Sequence, residues 1–241
     1  VFTVDLGPGQ TATVTLADKP LYDTLKITKK DARRAGIDEN LSEPEGEGTL
    51  EGAVFLVEYF AGKYDSVDKL PSGKVNDYTN HACKKYWLLK SVYDSASEAY
   101  TVLMDDAHKA GGDDFYSFDG KVGIPLGTVC ITEVTPPTGY LLPTDPVIDF
   151  RTLTAAKGSE EVDGYPKDGI DAMENPVLGG FKIQKWDNEL LETTPQGDAT
   201  LQGANIEVTN ESSHSVIVNG KEYANGQVCF TGVTNQNGTF E

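Results

Sequence analysis

Several things are scarce in this chain, and each scarcity excludes something. No apolar run approaches the roughly 20 residues of a membrane span. The three cysteines, Cys83, Cys130 and Cys229, form no CxxC pair and no zinc spacing. The three histidines, His81, His108 and His214, sit in unrelated polar contexts, and His81 lies too close to Cys83 to argue a designed Cys–His pair. There is no nucleophile elbow, phosphate loop or zinc helix, so an enzyme acting on other molecules is not expected. The acidic pairs at Asp105 and Asp113 lack the spacing of a calcium loop and read as solvated charge. Positive charge is also in short supply. With 20 basic against 38 acidic residues the net charge is −18. Such a chain repels phosphate backbones and anionic lipid, so neither nucleic acid nor a membrane surface is expected as a partner. No metal and no cofactor is implied.

What is present is glycine, proline and short alternating runs. The 241 residues include 25 Gly and 12 Pro, a composition that suits an all-β chain with many turns. "VFTVDL" and "TATVTLA" flank a "GPGQ" turn and read as a hairpin. "TLKITKKD", "GAVFLVEYF", "GTVCITEV", "VIDFRTL", "ANIEVTN" and "QVCFTGV" read as strands. One stretch, "DSASEAYTVLMDDAHKAG", is helix-like, inside a polar insertion between Lys63 and Asp114.

The patterns repeat. "LKITKKD" at Leu25 returns as "FKIQKWD" at Phe181, and "LEGAVFLVE" at Leu50 returns as "LQGANIEVT" at Leu201. Order and separation are kept, which predicts tandem β-modules. Residues 1–20 read as the closing hairpin of one module, 21–178 as a complete second, and 179–241 as the opening of a third. The abrupt ends read as those of a piece from a longer protein.

Strand alternation places Leu25, Ile27 and Lys29 on one face, and Phe181, Ile183 and Lys185 on the corresponding face of the later copy. In "TVCITEV" it aligns Val129, Ile131 and Glu133. A lysine and a glutamate thus each continue an apolar stripe. Buried together they form an ion pair. With an Asn side chain in reach of a dry site, neutral forms are favoured instead, and the amine becomes a nucleophile with Glu133 as proton shuttle. The candidate acceptor is Asn175 in "AMENPVLGG".

These elements, "LKITKKD", "LEGAVFLV", "IPLGTVCITEVTPPTGY" and "ENPVLGGFKIQKWD", resemble the Cna-B-type (prealbumin-like, SpaA-type pilin) domains of Gram-positive surface proteins. The resemblance implies tandem β-sandwich modules, an autocatalytic Lys–Asn isopeptide bond and a structural stalk on the cell wall. It assigns Lys29 as nucleophile, Asn175 as acceptor and Glu133 as catalytic acid. Asp18 takes the acceptor position in the flanking piece, with Lys185 its possible partner. Lys167 in "GYPKDG" resembles the lysine that sortase joins to the next pilin subunit, and "LPTDP" at Leu142 reads as a loop. Cys83 and Cys130 could pair in an oxidising compartment. The expected partners are neighbouring modules, other pilin subunits or host matrix. The alternative is an adhesin, binding a host protein or glycan through insertion aromatics such as Tyr64, Tyr78, Tyr86, Trp87 and Tyr93.

Overall fold

The computed structural model describes residues 3–15, 19–37, 41–71 and 82–240. Its first twelve strands are β1 (Tyr22–Asp23), β2 (Lys26–Asp31), β3 (Val54–Phe60), β4 (Lys85–Lys90), β5 (Val92–Asp94), β6 (Ala99–Leu103), β7 (Lys109–Gly112), β8 (Tyr116–Phe118), β9 (Lys121–Pro125), β10 (Gly127–Thr135), β11 (Val147–Leu153) and β12 (Ile170–Glu174). Six more follow: β13 (Ile183–Gln184), β14 (Asn205–Thr209), β15 (Val216–Val218), β16 (Lys221–Tyr223), β17 (Val228–Val233) and β18 (Thr239–Phe240). Among the described residues the helical pieces are short 3-10 turns at Ala32–Arg34 and Val67–Lys69. The all-β reading of the sequence therefore stands.

Two sheets make the sandwich. One has the order β11-β10-β3-β4-β7, the other β12-β2-β6-β5, and a small β1-β9-β8 sheet lies beside them. Neighbours are antiparallel except β2 and β12, which run parallel. Between the sheets lie Phe55, Val57, Trp87, Leu89, Val129, Ile131 and Leu153 from one side, and Leu25, Ile27, Val102 and Ala172 from the other. Burial of each large member contributes about 1.5–3 kcal/mol.

Residues expected to form a polar insertion belong to the sandwich itself. β4 pairs with β3 in its sheet, and β6 pairs with β2 in the other. The helix-like stretch is largely the β5–β6 turn, β6 and the approach to β7. Its alanine, serine and glutamate content suits a helix, but Ala99–Leu103 is claimed by a ladder in one sheet and Lys109–Gly112 by a ladder in the other. Tertiary pairing overrides local propensity here. Residues 3–15 hold a turn around Gly9, with Gln10 N donating to Gly7 O, but no strand. The expected first hairpin has no ladder there, and Val4, Leu6 and Val14 stay exposed.

The last six strands form separate two-stranded pairs: β13 with β18, β14 with β17, β15 with β16. Between them and β12 lies an exposed stretch containing Val177, Leu178, Gly179 and Gly180.

Candidate functional site

Alternation along β2 sends Ile27, Lys29 and Asp31 inward while Lys26, Thr28 and Lys30 stay partly exposed. Along β10, Val129, Ile131 and Glu133 face the same core. The ladder of β10 shifts register on either side of Glu133, between Ile131 and Thr132 against β11 and between Glu133 and Thr135 against β3. Such bulges re-aim side chains. Along β12, Ala172 and Glu174 face inward, while Asp171, Met173 and the following Asn175 face outward.

The three inward polar groups meet. Lys29 Nζ donates to Glu133 Oε2 at 2.9 Å. Glu174 Oε2 lies 2.7 Å from the same nitrogen, off the hydrogen-bonding direction. Solvent exposure of the side chains is 0% for Lys29 and Glu133 and 1% for Glu174. Lys29 and Glu174 are neighbours within one sheet, and Glu133 reaches them from the other. The Phe55 ring, 5.8 Å from Lys29 Nζ, walls the site with an apolar face.

One ammonium cannot neutralise two carboxylates in a dry core. Burial pushes Glu133 up to about 7; Lys29 pulls it down, while Glu174 adds to the rise. Burial also raises Glu174, against the pull of Lys29. A single proton shared by the two carboxyls makes the group neutral. That proton count has two tautomers: ammonium, carboxylate and acid, or free amine and two acids. Moving one proton from Lys29 to Glu133 converts the first into the second, and the second contains a nucleophile beside an un-ionised carboxyl. Glu133 Oε1 and Glu174 Oε1 have no hydrogen-bond partner, so both retain capacity for such a proton.

A second buried polar group lies next to this site, starting at Asp31. Glu174 lies across from Asp31 in the parallel register. Tyr140 Oη donates to Asp31 Oδ2 at 2.7 Å, and the Glu45 N–H donates to Tyr140 Oη at 3.0 Å. Tyr140 is aimed by the "PTGY" turn. There Gly139 has φ +90°, and a Cβ on it would stand 2.8 Å from the Gly48 Cα, so glycine is required twice over.

The acceptor named from the sequence is not in this group. Asn175 is exposed, one residue beyond β12, and its carbonyl accepts from the Leu141 N–H. The site holds Glu174 where Asn175 was expected. The signal was present: Ile170, Ala172 and Glu174 share one strand parity, as Leu25, Ile27 and Lys29 do. Asp18, the other proposed acceptor, lies outside the described residues. Lys185 is half-buried, and among the described residues no carboxylate pairs with it; its N–H donates to Gly238 O. Lys19 pairs with Asp119, in the β8–β9 turn, at 2.7 Å on the exposed surface. Lys167 is exposed in the turn before β12, closed by Gly169 N donating to Pro166 O.

Cys83 and Cys130 are free thiols, so the possible disulfide is not formed. Burial, with the Glu58 carboxylate adding to it, pushes each up to about 12. Both are therefore unreactive as thiolates at neutral pH. Of the aromatics proposed as a contact surface, Trp87 is fully buried in the core and Tyr93 is exposed, its ring tilted against that of Tyr100 with centroids 5.2 Å apart; Tyr78, like His81, lies outside the described residues. His108 is buried and bonds Asp105 through Nδ1 at 2.6 Å.

No protein-family profile matches the chain, and no curated protein does. Among solved structures, the Bacillus anthracis TIE protein is similar over 96% of this chain and 28% of that one, at 18% identity and a TM-score of 0.42. At that identity and score the likeness says nothing of activity. Among the described residues no helix is long and apolar enough to cross a membrane.

Proposed function

We propose that this chain is part of a Gram-positive cell-surface protein, and that its sandwich is a load-bearing stalk module closed by one internal amide. The amide joins Lys29 to Glu174. The observation that carries this reading is the solvent-sealed meeting of Lys29, Glu133 and Glu174, with contacts of 2.7 and 2.9 Å. The resemblance of "LKITKKD" and "ITEVTPPTGY" to isopeptide-forming modules supports it.

The step balances without a cofactor. In the neutral tautomer the Lys29 amine attacks Glu174 Cδ. A C–N bond forms and the carbonyl becomes a tetrahedral oxyanion. Glu133, protonated in this tautomer, delivers its proton to the leaving hydroxyl and takes one from the attacking nitrogen in its place. The C–O bond breaks and one water departs. Prior placement of the groups replaces the entropy cost of bringing them together, and the reaction runs once per chain. With Glu174 in place of an amide acceptor, the lost molecule is water and not ammonia.

The placement suits load. β2 enters the module and β12 leaves it, side by side and parallel. Tension on the two ends shears these strands past each other, so their ladder resists together. An amide between them places residues 30–173 in a covalent loop outside the force path. Residues 85–112 supply core strands on both sheets, so they are not free to serve as a separate adhesive lid.

Single-molecule pulling with handles at positions 21 and 178 tests the function. The wild-type module should release none of residues 30–173 as contour length, and Lys29→Ala should release them. Full extension of the wild type would overturn the stalk reading.

A further inference from the structure

Beyond the exposed linker the chain does not hang free: it returns to the sandwich. The contact is built by consecutive arginines. The Asp31 side chain accepts from Arg33 N at 2.8 Å and caps the 3-10 turn that carries both. Arg34 is fully buried. Its Nη1 pairs with Glu222 Oε1 at 2.7 Å, and its Nη2 donates to Ser215 Oγ at 2.6 Å and Pro44 O at 3.2 Å. Arg33 pairs with Glu45 at 2.7 Å and donates to Ile217 O at 2.6 Å. Backbone bonds flank them. Gly46 N donates to Ser215 O, and His214 N donates to Gly46 O. Ile217 N donates to Glu45 Oε1 at 2.9 Å, and Ser213 N to Glu47 Oε1 at 2.7 Å. Ile217 itself is buried against this face. Asn210 braces the base of the hairpin, donating to His214 O and Tyr223 O at 3.1 and 3.0 Å.

We infer that the 210–223 hairpin is a latch that seats on residues 31–48 and holds the sandwich and the following β-pairs as one rigid body. The linker does not do this. Val177 and Leu178 are 57% and 64% exposed, and residues 176–179 border an open cleft of about 740 Å³. The Val177 N–H donates to Gly139 O, but the two glycines that follow add backbone freedom. The latch supplies what the linker lacks: a buried guanidinium that would lose Glu222 and Ser215 on release, plus four backbone donors with specific acceptors. The latch does not depend on the Lys29 amide.

Amide hydrogen exchange tests it. In the wild-type chain the Gly46, His214 and Ile217 amides should exchange at least about a hundredfold slower than unprotected amides. Arg34→Ala and Glu222→Ala should each abolish most of that protection while β3 and β10 keep theirs. Glu222 lies outside the sandwich, so its variant decides the matter if Arg34→Ala disturbs the fold. Unprotected amides at Gly46 and His214 in the wild type would overturn the latch, as would full protection retained in Glu222→Ala.

Discussion

Lys29 and Glu174 stand on adjacent parallel strands with nitrogen and oxygen 2.7 Å apart, sealed from solvent. Taken as an ion pair alone this arrangement is costly, because desolvation offsets most of the attraction and the second carboxyl lacks a counter-charge. Taken as a reacting pair it is economical. The surplus carboxyl is then the proton carrier, and condensation removes both the buried ammonium and one buried acid.

Lys29→Ala should destabilise the module strongly. It removes the amide, whose loop-closure effect is about 4–5 kcal/mol by the disulfide analogy, and it leaves two buried carboxyls without their cation. The expected result is a lower melting temperature and new cleavage by trypsin, with strand content by circular dichroism unchanged. Melting unchanged from the wild type would count against any role for the site.

Glu174→Gln separates the acceptors. The Gln side chain occupies the same place and can be attacked in the same way, but its leaving group is ammonia. The variant should therefore lose one ammonia where the wild type loses one water. Asn175→Ala should leave the mass loss untouched and stability within about 0.5 kcal/mol, as expected for an exposed side chain. Tandem mass spectrometry of the cross-linked peptide reads both.

Glu133→Gln should give a folded chain of full, unreduced mass. The hydrogen bond to Lys29 survives, but the proton carrier does not. A reduced mass in this variant would assign the proton transfers elsewhere.

The unlinked site should show inverted pH dependence. Burial raises Glu133 to about 7 and also raises Glu174. Lys29→Met removes the group that pulls both down, so they hold their protons more tightly when folded than when unfolded. The unfolded chain then ionises first, and stability at this site is fully present below the ordinary carboxylate range. It is lost as pH rises from there through about 7 and beyond. Urea midpoints of Lys29→Met should thus fall, relative to Glu133→Gln/Lys29→Met, between about pH 5 and pH 8. Parallel profiles would show that Glu133 does not titrate in that window.

Much of the site was legible in residue parity. Leu25, Ile27 and Lys29 share a stripe, as do Val129, Ile131 and Glu133, and counting by twos places both polar groups in the core. The same count over Ile170, Ala172 and Glu174 identifies the third member, whereas the match of "ENPVLGG" to a family pattern selected its neighbour Asn175. The strands β4 to β7 were obscured for a different reason. β4 (KYWLLK) carries an unbroken run of large apolar residues and β7 (KAGG) is mostly small, so neither alternates cleanly, and the place of these strands is set by partners distant in sequence, such as Leu56 opposite Leu88 and Ile27 opposite Val102. The latch was illegible because nothing local marks Arg34 as buried. Its partners Ser215 and Glu222 come from the far end of the chain.

The most direct test of the central claim is the intact mass of the freshly purified chain under denaturing conditions. An amide between Lys29 and Glu174 makes it lighter than its sequence by one water. A mass equal to the sequence would contradict the bond and leave Lys29, Glu133 and Glu174 as a buried ionic cluster; loss of one ammonia instead would contradict Glu174 as the acceptor.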